Sequence, residues 1–305
     1  MCADGLDALI ARARERAIEH APFGARTTYR VGGRVRVLLS LERLGDLEEL
    51  GPLIESAARR VVVIGNGSNL LVAEGEHDVI GVHLGGEFCD LTWRDEGERV
   101  IVTAGAGLDL PVAARRLAKE AIVGFEWAVG VPGTFGGAVV MNAGGHGSDM
   151  AASVLEVHTW RGGSRRWDAS QCHFGYRTSA LPADEIVTRV VLGLERGDAA
   201  HSRELISDVV RWRRAHQPGG ANAGSVFRNP PGDSAGRLIE VAGCKGLRVG
   251  SAVVSEKHAN FILVDADGRA SDVYELIRTV QARVSEKCGV ELISENRFLG
   301  FEEAR

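Results

Sequence analysis

Lysine is nearly missing from this chain: of 36 basic residues only Lys119, Lys245, Lys257 and Lys287 are lysine, and the rest are arginine. Set against 41 acidic residues, they leave a formal net charge of -5, so the molecule as a whole does not attract nucleic acid or anionic lipid. The densest basic run, Arg211, Arg213 and Arg214, reads as an exposed helix face, with a local anion site as the alternative. Cysteine is sparse. Cys2, Cys89, Cys172, Cys244 and Cys288 are odd in number, far apart and never spaced C-x-x-C, which argues against a disulfide scaffold or a zinc site and fits a reducing cytosol. The nine histidines are dispersed without an H-E-x-x-H, so no metal site is expected. There is no G-x-x-x-x-G-K-[ST], which removes the P-loop reading. Long hydrophobic runs are also lacking. Residues 127–145 carry no charge, but their glycines and Pro132 would make a poor helix, so this stretch is expected to be turn-rich and buried rather than membrane-spanning. At the N-terminus Leu6, Leu9, Ile10, Ala13 and Ala17 recur at helical spacing among Asp4, Asp7, Arg12, Arg14, Glu15 and Arg16. That pattern predicts an amphipathic helix over 5–20, not a signal peptide.

What the chain has in excess is glycine, 39 of 305 residues, nearly twice the usual ~7%. Inside a regular element each costs roughly 0.5–1 kcal/mol relative to alanine, so the surplus belongs in loops. GC-rich coding, which the arginine bias suggests, would scatter glycine evenly. Here it clusters at Gly124, Gly130, Gly133, Gly136, Gly137, Gly144, Gly145 and Gly147.

The length suits about two domains. Strand-like runs at 35–39, 60–64, 79–84, 99–104, 154–160 and 186–194 alternate with helical patterns at 44–58 and 109–120. A helix at 201–216 leads to the turn Gln217-Pro218-Gly219-Gly220, and a smaller unit follows. It is expected to hold short strands at 225–228, 251–254, 260–265 and 290–299. A helix over 271–287 is expected there too, capped by Ser271 and closed by Gly289. The boundary is placed near residue 200, giving domains 1–200 and 201–305, with a split of the first near residue 72.

Two segments carry the chemistry. Gly65-Asn66-Gly67-Ser68-Asn69 directly follows a strand, so its backbone N–H groups can surround a phosphate while Ser68 and Asn69 add side-chain donors. Leu70 stands where the dinucleotide fingerprint needs its third glycine, so taken alone the segment serves equally as a tight turn. The second segment, Gly130-Val131-Pro132-Gly133-Thr134-Phe135-Gly136-Gly137, continues through Asn142, Ala143 and Gly144. It clears side chains from one stretch so that a flat or pyrophosphate-bearing ligand can approach the backbone. Close backbone packing is the alternative. Two such loops suit one long dinucleotide. Tyr176-Arg177 offers a guanidinium fork that matches a carboxylate, or a surface turn. Ser225 follows Gly224 as a proton donor or a turn residue, and Glu295 precedes Arg297 as an acid or a strand ion pair. Ser255 and His258 suggest a nucleophile and base, but no nucleophile elbow accompanies them.

In this order the segments resemble the UDP-N-acetylenolpyruvoylglucosamine reductases, from Thr27-Thr28-Tyr29-Arg30-Val31-Gly32-Gly33 to Ser294-Glu295-Asn296-Arg297-Phe298-Leu299-Gly300, nearly the whole chain. The most specific pieces are Gly65 to Val72, Val131 to Gly144, Tyr176-Arg177, Gly224 to Pro230 and Ser255 to Phe261. The resemblance implies an α+β fold: a two-subdomain FAD-binding unit of the PCMH type, then a smaller α+β substrate-binding domain. It assigns Tyr29, Gly65, Asn66, Gly67, Ser68, Asn69, Gly130, Val131, Pro132, Gly133, Thr134, Gly136, Gly137, Asn142 and Ala143 to non-covalent FAD. It assigns Tyr176, Asn229, Lys257, His258 and Arg297 to the substrate. Arg177, Ser225 and Glu295 receive the catalytic roles. NADPH would reduce the flavin and leave, and the enolpyruvyl ether of a UDP-sugar would take its place. Arg177 and protonated Glu295 would stabilise charge on the enolpyruvyl carboxylate, and Ser225 would protonate the adjacent carbon. The implied setting is bacterial peptidoglycan synthesis by a cytoplasmic monomer.

The connection from Leu194 to Gly224 is too short for the substrate-clamping insertion of one subgroup, so the shorter subgroup is expected. Against the family pattern, Asn66 replaces a glycine, His146 a tyrosine and Ser294 a proline. The rival readings are another FAD-dependent oxidase or dehydrogenase of the same architecture, or a flavin- or UDP-sugar-binding protein without turnover.

Overall fold

The computed structural model describes residues 5–301; Cys2 and Asp4 lie outside the described residues. The chain forms two compact units. One comprises the segment ending at Glu19, Arg36–Asn66 and Asp78–Trp212; the other comprises His20–Val35, Gly67–His77 and the chain from Arg213 onward. The chain therefore passes between them five times rather than once near residue 200.

In the first unit, helix α1 (Gly5–Ala13) lays Leu6, Leu9 and Ala13 against α2 (Leu44–Ser56). The helix expected over 5–20 stops early because Arg14 turns to φ +52, a left-handed backbone that ends an α-helix; a strand, Ala17–Ala21, follows. A four-stranded sheet orders Ala17–Ala21, Arg34–Leu41, Glu76–Leu84 and Arg60–Val63, the last two parallel. Because Glu76–Leu84 pairs with Arg60–Val63, this first sheet ends at Leu84 rather than near residue 72. The second sheet is antiparallel, in the order Ser164–Asp168, Val154–Trp160, Ile186–Arg196, Arg99–Gly105, Leu91–Glu96, with Ile122–Val123 extending beside the end of Ile186–Arg196. Three helices accompany it in the chain: α3 (Leu110–Lys119), α4 (Phe135–Val140) and α5 (Ala199–His216). Ile206, Val209 and Val210 of α5 pack on the first core, which carries this unit beyond residue 200.

The second unit is built on α7 (Ala270–Cys288), whose apolar face of Val273, Leu276, Ile277, Val280 and Val284 is buried. With it go α6 (Ala235–Val241) and an antiparallel sheet of Arg248–Val249, Ala252–Val254 and Ile262–Val264. Gly289 ends α7 at φ +67, as its position predicts, but the helix begins one residue after Arg269 rather than at a Ser271 cap. Leu70–Val72 pairs in parallel with Arg297–Leu299, and Tyr29, Val31 and Leu71 join this unit's core. The strand expected over 290–299 is thus only three residues long, because its partner offers no more. The one expected over 225–228 reduces to a single bridge, Phe227 to Ser294.

Candidate active site

Immediately after Arg60–Val63, the chain turns through Gly65 to Asn69. Gly67 takes φ +58, and a Cβ there would lie 2.6 Å from Thr27 Cα, so only glycine fits. A Cβ on Gly65 would lie 2.3 Å from Thr134 Oγ1. Among the described residues, the backbone N–H groups of Asn66, Gly67, Ser68 and Asn69 donate to no protein acceptor. The Asn66 amide donates to Asp109 Oδ1 at 2.6 Å, which helps to hold the loop.

The second glycine segment is zipped along residues 106–110: Leu110 N–H donates to the Gly133 carbonyl, Phe135 N–H to Leu108 and Gly136 N–H to Ala106. This leaves the expected turn-rich stretch with a helix inside it, α4. The bare positions fall into two kinds. At Gly130 a Cβ would meet the His146 ring at 3.0 Å, and at Gly144 the Asp149 side chain and Ser148 carbonyl at 2.6 Å, so these glycines serve the protein's own packing. At Gly137, Gly145 and Gly147 a Cβ would meet nothing within 4 Å. Two buried polar atoms beside these loops, Trp127 Nε1 and Thr28 Oγ1, have no hydrogen-bond partner among the described residues. Taken unit by unit, the unclaimed N–H donors are of the kind that suits a pyrophosphate, and the open glycine backbone is of the kind that suits a flat ring, as FAD would need.

Arg177 lies in a tight turn at φ +57, its guanidinium 5.3 Å from the Tyr176 ring centroid, and Nη2 donates to the Gly144 carbonyl at 2.9 Å. The same turn is tied back by Ser179 Oγ to the Val140 carbonyl at 2.8 Å. Asn142, which the resemblance assigns to the cofactor, has a buried side chain whose two N–H groups and Oδ1 bond to Asp149, Gly175 and Ala151.

In the second unit Ser225 follows Gly224, which has φ +72, and its side chain is exposed. The next two residues are fixed by the buried Asn260. Its carbonyl accepts from Val226 N–H, its Oδ1 from Phe227 N–H, and its Nδ2 donates to the Phe227 carbonyl. Glu295 is brought alongside, its N–H donating to the Val226 carbonyl at 2.7 Å. Asn69 Nδ2 donates to the Glu295 carbonyl at 2.9 Å, Asn296 Nδ2 to Asn69 Oδ1 at 3.0 Å, and Tyr29 OH to Asn296 Oδ1 at 3.3 Å. Tyr29 is fully buried, which pushes its phenol pKa upward and keeps it a neutral donor.

The proposed substrate contacts are also partly occupied. Asn229 Oδ1 caps α6 by accepting from Ala235 N–H at 3.0 Å. Lys257 Nζ donates to the Arg214 carbonyl at 2.5 Å, a cation on the last turn of α5. Ser255 Oγ, buried, accepts from the N–H groups of Lys257 and His258, so it shapes a turn and pairs with no base. The His258 ring accepts from Asn260 N–H and meets Phe261 edge-on at 4.8 Å; burial pushes its pKa down, so it is neutral near pH 7. The sequence reading gave Asn260 and Asn296 no role. Nothing in a one-dimensional pattern marks them, because each acts by satisfying backbone or amide groups far away in the chain. Among the described residues no group of His, Cys, Asp or Glu could hold a metal ion, and no helix is long and apolar enough to cross a membrane.

Residues 46–164 match a family model described as an FAD binding domain, and residues 216–299 match the C-terminal domain of UDP-N-acetylenolpyruvoylglucosamine reductase. Loops and matches together define an FAD-binding oxidoreductase. The curated UDP-N-acetylenolpyruvoylglucosamine reductase of Heliobacterium modesticaldum is 40% identical, the alignment covering 93% of this chain and 90% of that protein. That of Thiobacillus denitrificans is 39% identical over 94% and 93%. The crystal structure of the enzyme from Thermus caldophilus has a TM-score of 0.78 at 37% identity, over 93% of this chain and 98% of that one. The chain belongs to the UDP-N-acetylenolpyruvoylglucosamine reductase family, the FAD-containing UDP-N-acetylmuramate dehydrogenases of peptidoglycan precursor synthesis. It is of the shorter kind, with α5 filling the connection between Leu194 and Gly224.

Proposed function

We propose that this protein reduces UDP-N-acetylglucosamine enolpyruvate to UDP-N-acetylmuramate with NADPH, through non-covalently bound FAD. In this reading the flavin is held mainly by the unit that contains Arg36–Asn66 and Asp78–Trp212, and the nucleotide sugar mainly by the unit that contains the chain from Arg213 onward. When bound, FAD supplies the hydride chemistry. The chain's own residues do the rest. In this reading Arg177 presents its planar fork to the enolpyruvyl carboxylate and Glu295 acts as a protonated acid toward the developing negative charge, since donors fixed in advance stabilise that charge without reorganising. Ser225, its hydroxyl exposed and its backbone pinned through Val226 and Phe227, delivers a proton to the adjacent carbon. Tyr176, Asn229, Lys257, His258 and Arg297 orient the nucleotide sugar. The observation that carries the reading is the antiparallel pairing of the Ser225 and Glu295 segments: Glu295 N–H donates to the Val226 carbonyl at 2.7 Å, so proton donor and acid share one short stretch of bridged backbone. Free thiols at Cys89, Cys172, Cys244 and Cys288 support a reducing cytoplasm, and the working state is taken as a monomer.

The test is visible by eye. Purified protein is yellow, bleaches on NADPH, and recolours anaerobically only when the enolpyruvyl UDP-sugar is added; failure to recolour rejects this substrate. Ser225→Ala leaves bleaching intact and slows recolouring by roughly 100-fold or more, the usual scale for losing a positioned acid. Equal loss of both half-reactions would refute the proton-donor role.

A further inference from the structure

We infer that Asn142 is a positioning residue for Arg177, clamping the turn that carries this guanidinium to the end of α4; the inference rests on the reading of Arg177 as a carboxylate-binding group. Asn142 sits just past α4 at φ +39, a left-handed backbone that asparagine tolerates and that commonly ends helices. Helix termination alone would ask nothing of its side chain. Yet the residue is 3% exposed, and all its amide hydrogens are used. Nδ2 donates to the Gly175 carbonyl at 3.0 Å and to Asp149 Oδ2 at 3.2 Å, while Oδ1 accepts from Ala151 N–H at 2.9 Å. An amide has two N–H donors, so none is left for a cofactor.

The Gly175 carbonyl is the anchor of the Arg177 turn. Gly175 and Thr178 exchange backbone bonds of 3.0 and 3.3 Å, which closes the turn around Tyr176 and Arg177. Arg177 is itself left-handed at φ +57, a conformation a non-glycine residue keeps only where its surroundings enforce it. Bonds to the segment 140–145 contribute to that enforcement: Asn142 to Gly175, Ser179 to Val140, and Arg177 to Gly144. Asn142 is the one that acts on the turn from a buried side chain, and its remaining bonds fix it in turn to Asp149 and Ala151. The glycine-rich segment is therefore a template for the arginine as well as a ligand surface.

Asn142→Gly separates this role from helix termination, because glycine keeps the left-handed backbone and removes only the amide. Flavin dissociation constant, anaerobic bleaching by NADPH and recolouring by the enolpyruvyl UDP-sugar are measured on the full-length protein, with Arg177→Ala and the double variant alongside. The expected result is flavin affinity and bleaching within about 3-fold of wild type, recolouring slower by roughly 30-fold or more, and a double variant no slower than Arg177→Ala alone, as residues acting as one unit behave. Wild-type recolouring by Asn142→Gly would leave only helix termination and overturn the proposal. Parallel loss of flavin and both half-reactions would make Asn142 a cofactor or folding residue and overturn it equally, as would multiplicative losses in the double variant. Should Asn142→Gly not fold, Ser179→Ala, which removes a neighbouring bond to the same turn, is expected to slow recolouring selectively by a smaller factor; no selective effect there overturns the clamp. A wild-type protein that bleaches but never recolours would instead refute the assigned substrate.

Discussion

Glycine was the most readable residue in the sequence and the most easily misread. Its clustering drew attention to two loops, but one letter stands for two opposite situations. Gly65, Gly67, Gly130 and Gly144 are bare because another part of the protein fills the space, whereas Gly137 and Gly145 are bare with nothing of the protein nearby. Only the neighbours in space tell them apart. Gly137 lies in α4 without a positive φ, so Gly137→Ala is expected to leave the apoprotein as stable as wild type, or up to about 1 kcal/mol more stable, while raising the FAD dissociation constant at least tenfold. Gly65→Ala would drive a methyl into the Thr134 hydroxyl and is expected to cost stability, about 1–3 kcal/mol, even without ligand. Thermal melts of the apoproteins and flavin titrations read both, and equal behaviour of the two variants would dissolve the distinction. Tyr29 shows the same limit: its place in the motif was legible, but its full burial against Asn296 was not.

At the level of elements, periodicity located α2, α3, α5 and α7 and the longer strands, each of which repeats an apolar position often enough to be seen. It failed where local sequence was overruled. α4 is six residues long and contains two glycines, so nothing in its composition announces a helix; it forms because Phe135 and Gly136 are tied to residues 106–108 and Phe135, Ala138 and Val139 are buried. α1 looked longer than it is because its apolar spacing continues into the strand Ala17–Ala21, past the left-handed Arg14. Within α2, Gly51 is the contact point with the second sheet: a Cβ there would sit 1.8 Å from the Trp160 ring. Gly51→Ala is accordingly expected to destabilise by about 1–3 kcal/mol despite alanine's better helix propensity, read as a lower urea midpoint at unchanged m-value. A neutral effect would mean that α2 does not lie flat on Trp160.

Across the whole molecule, the order of motifs identified the family, but linear reading drew one boundary where the chain passes between units five times. Segments 20–35 and 67–77 are too short to betray from composition alone which core they join; Tyr29, Val31 and Leu71 reveal it by where they are buried. The second unit also carries a pH signature. His258 has its pKa lowered mainly by burial, so the unfolded chain binds a proton that the native ring refuses. Its contribution to stability is therefore intact above about pH 6.5, the unperturbed histidine value, and is lost as pH falls toward the lowered native value. Between pH 7.5 and 5.5 the urea midpoint of wild type is expected to fall more steeply than that of His258→Gln; parallel slopes would exclude His258 as the cause.

The interleaving of the two units has a meaning for ancestry. Strand Leu70–Val72 lies far up the chain from its partner Arg297–Leu299, and the second core takes Tyr29 and Val31 from near the start of the sequence. No single recombination point in the gene could exchange one unit whole. The two units are thus inherited together, within one lineage.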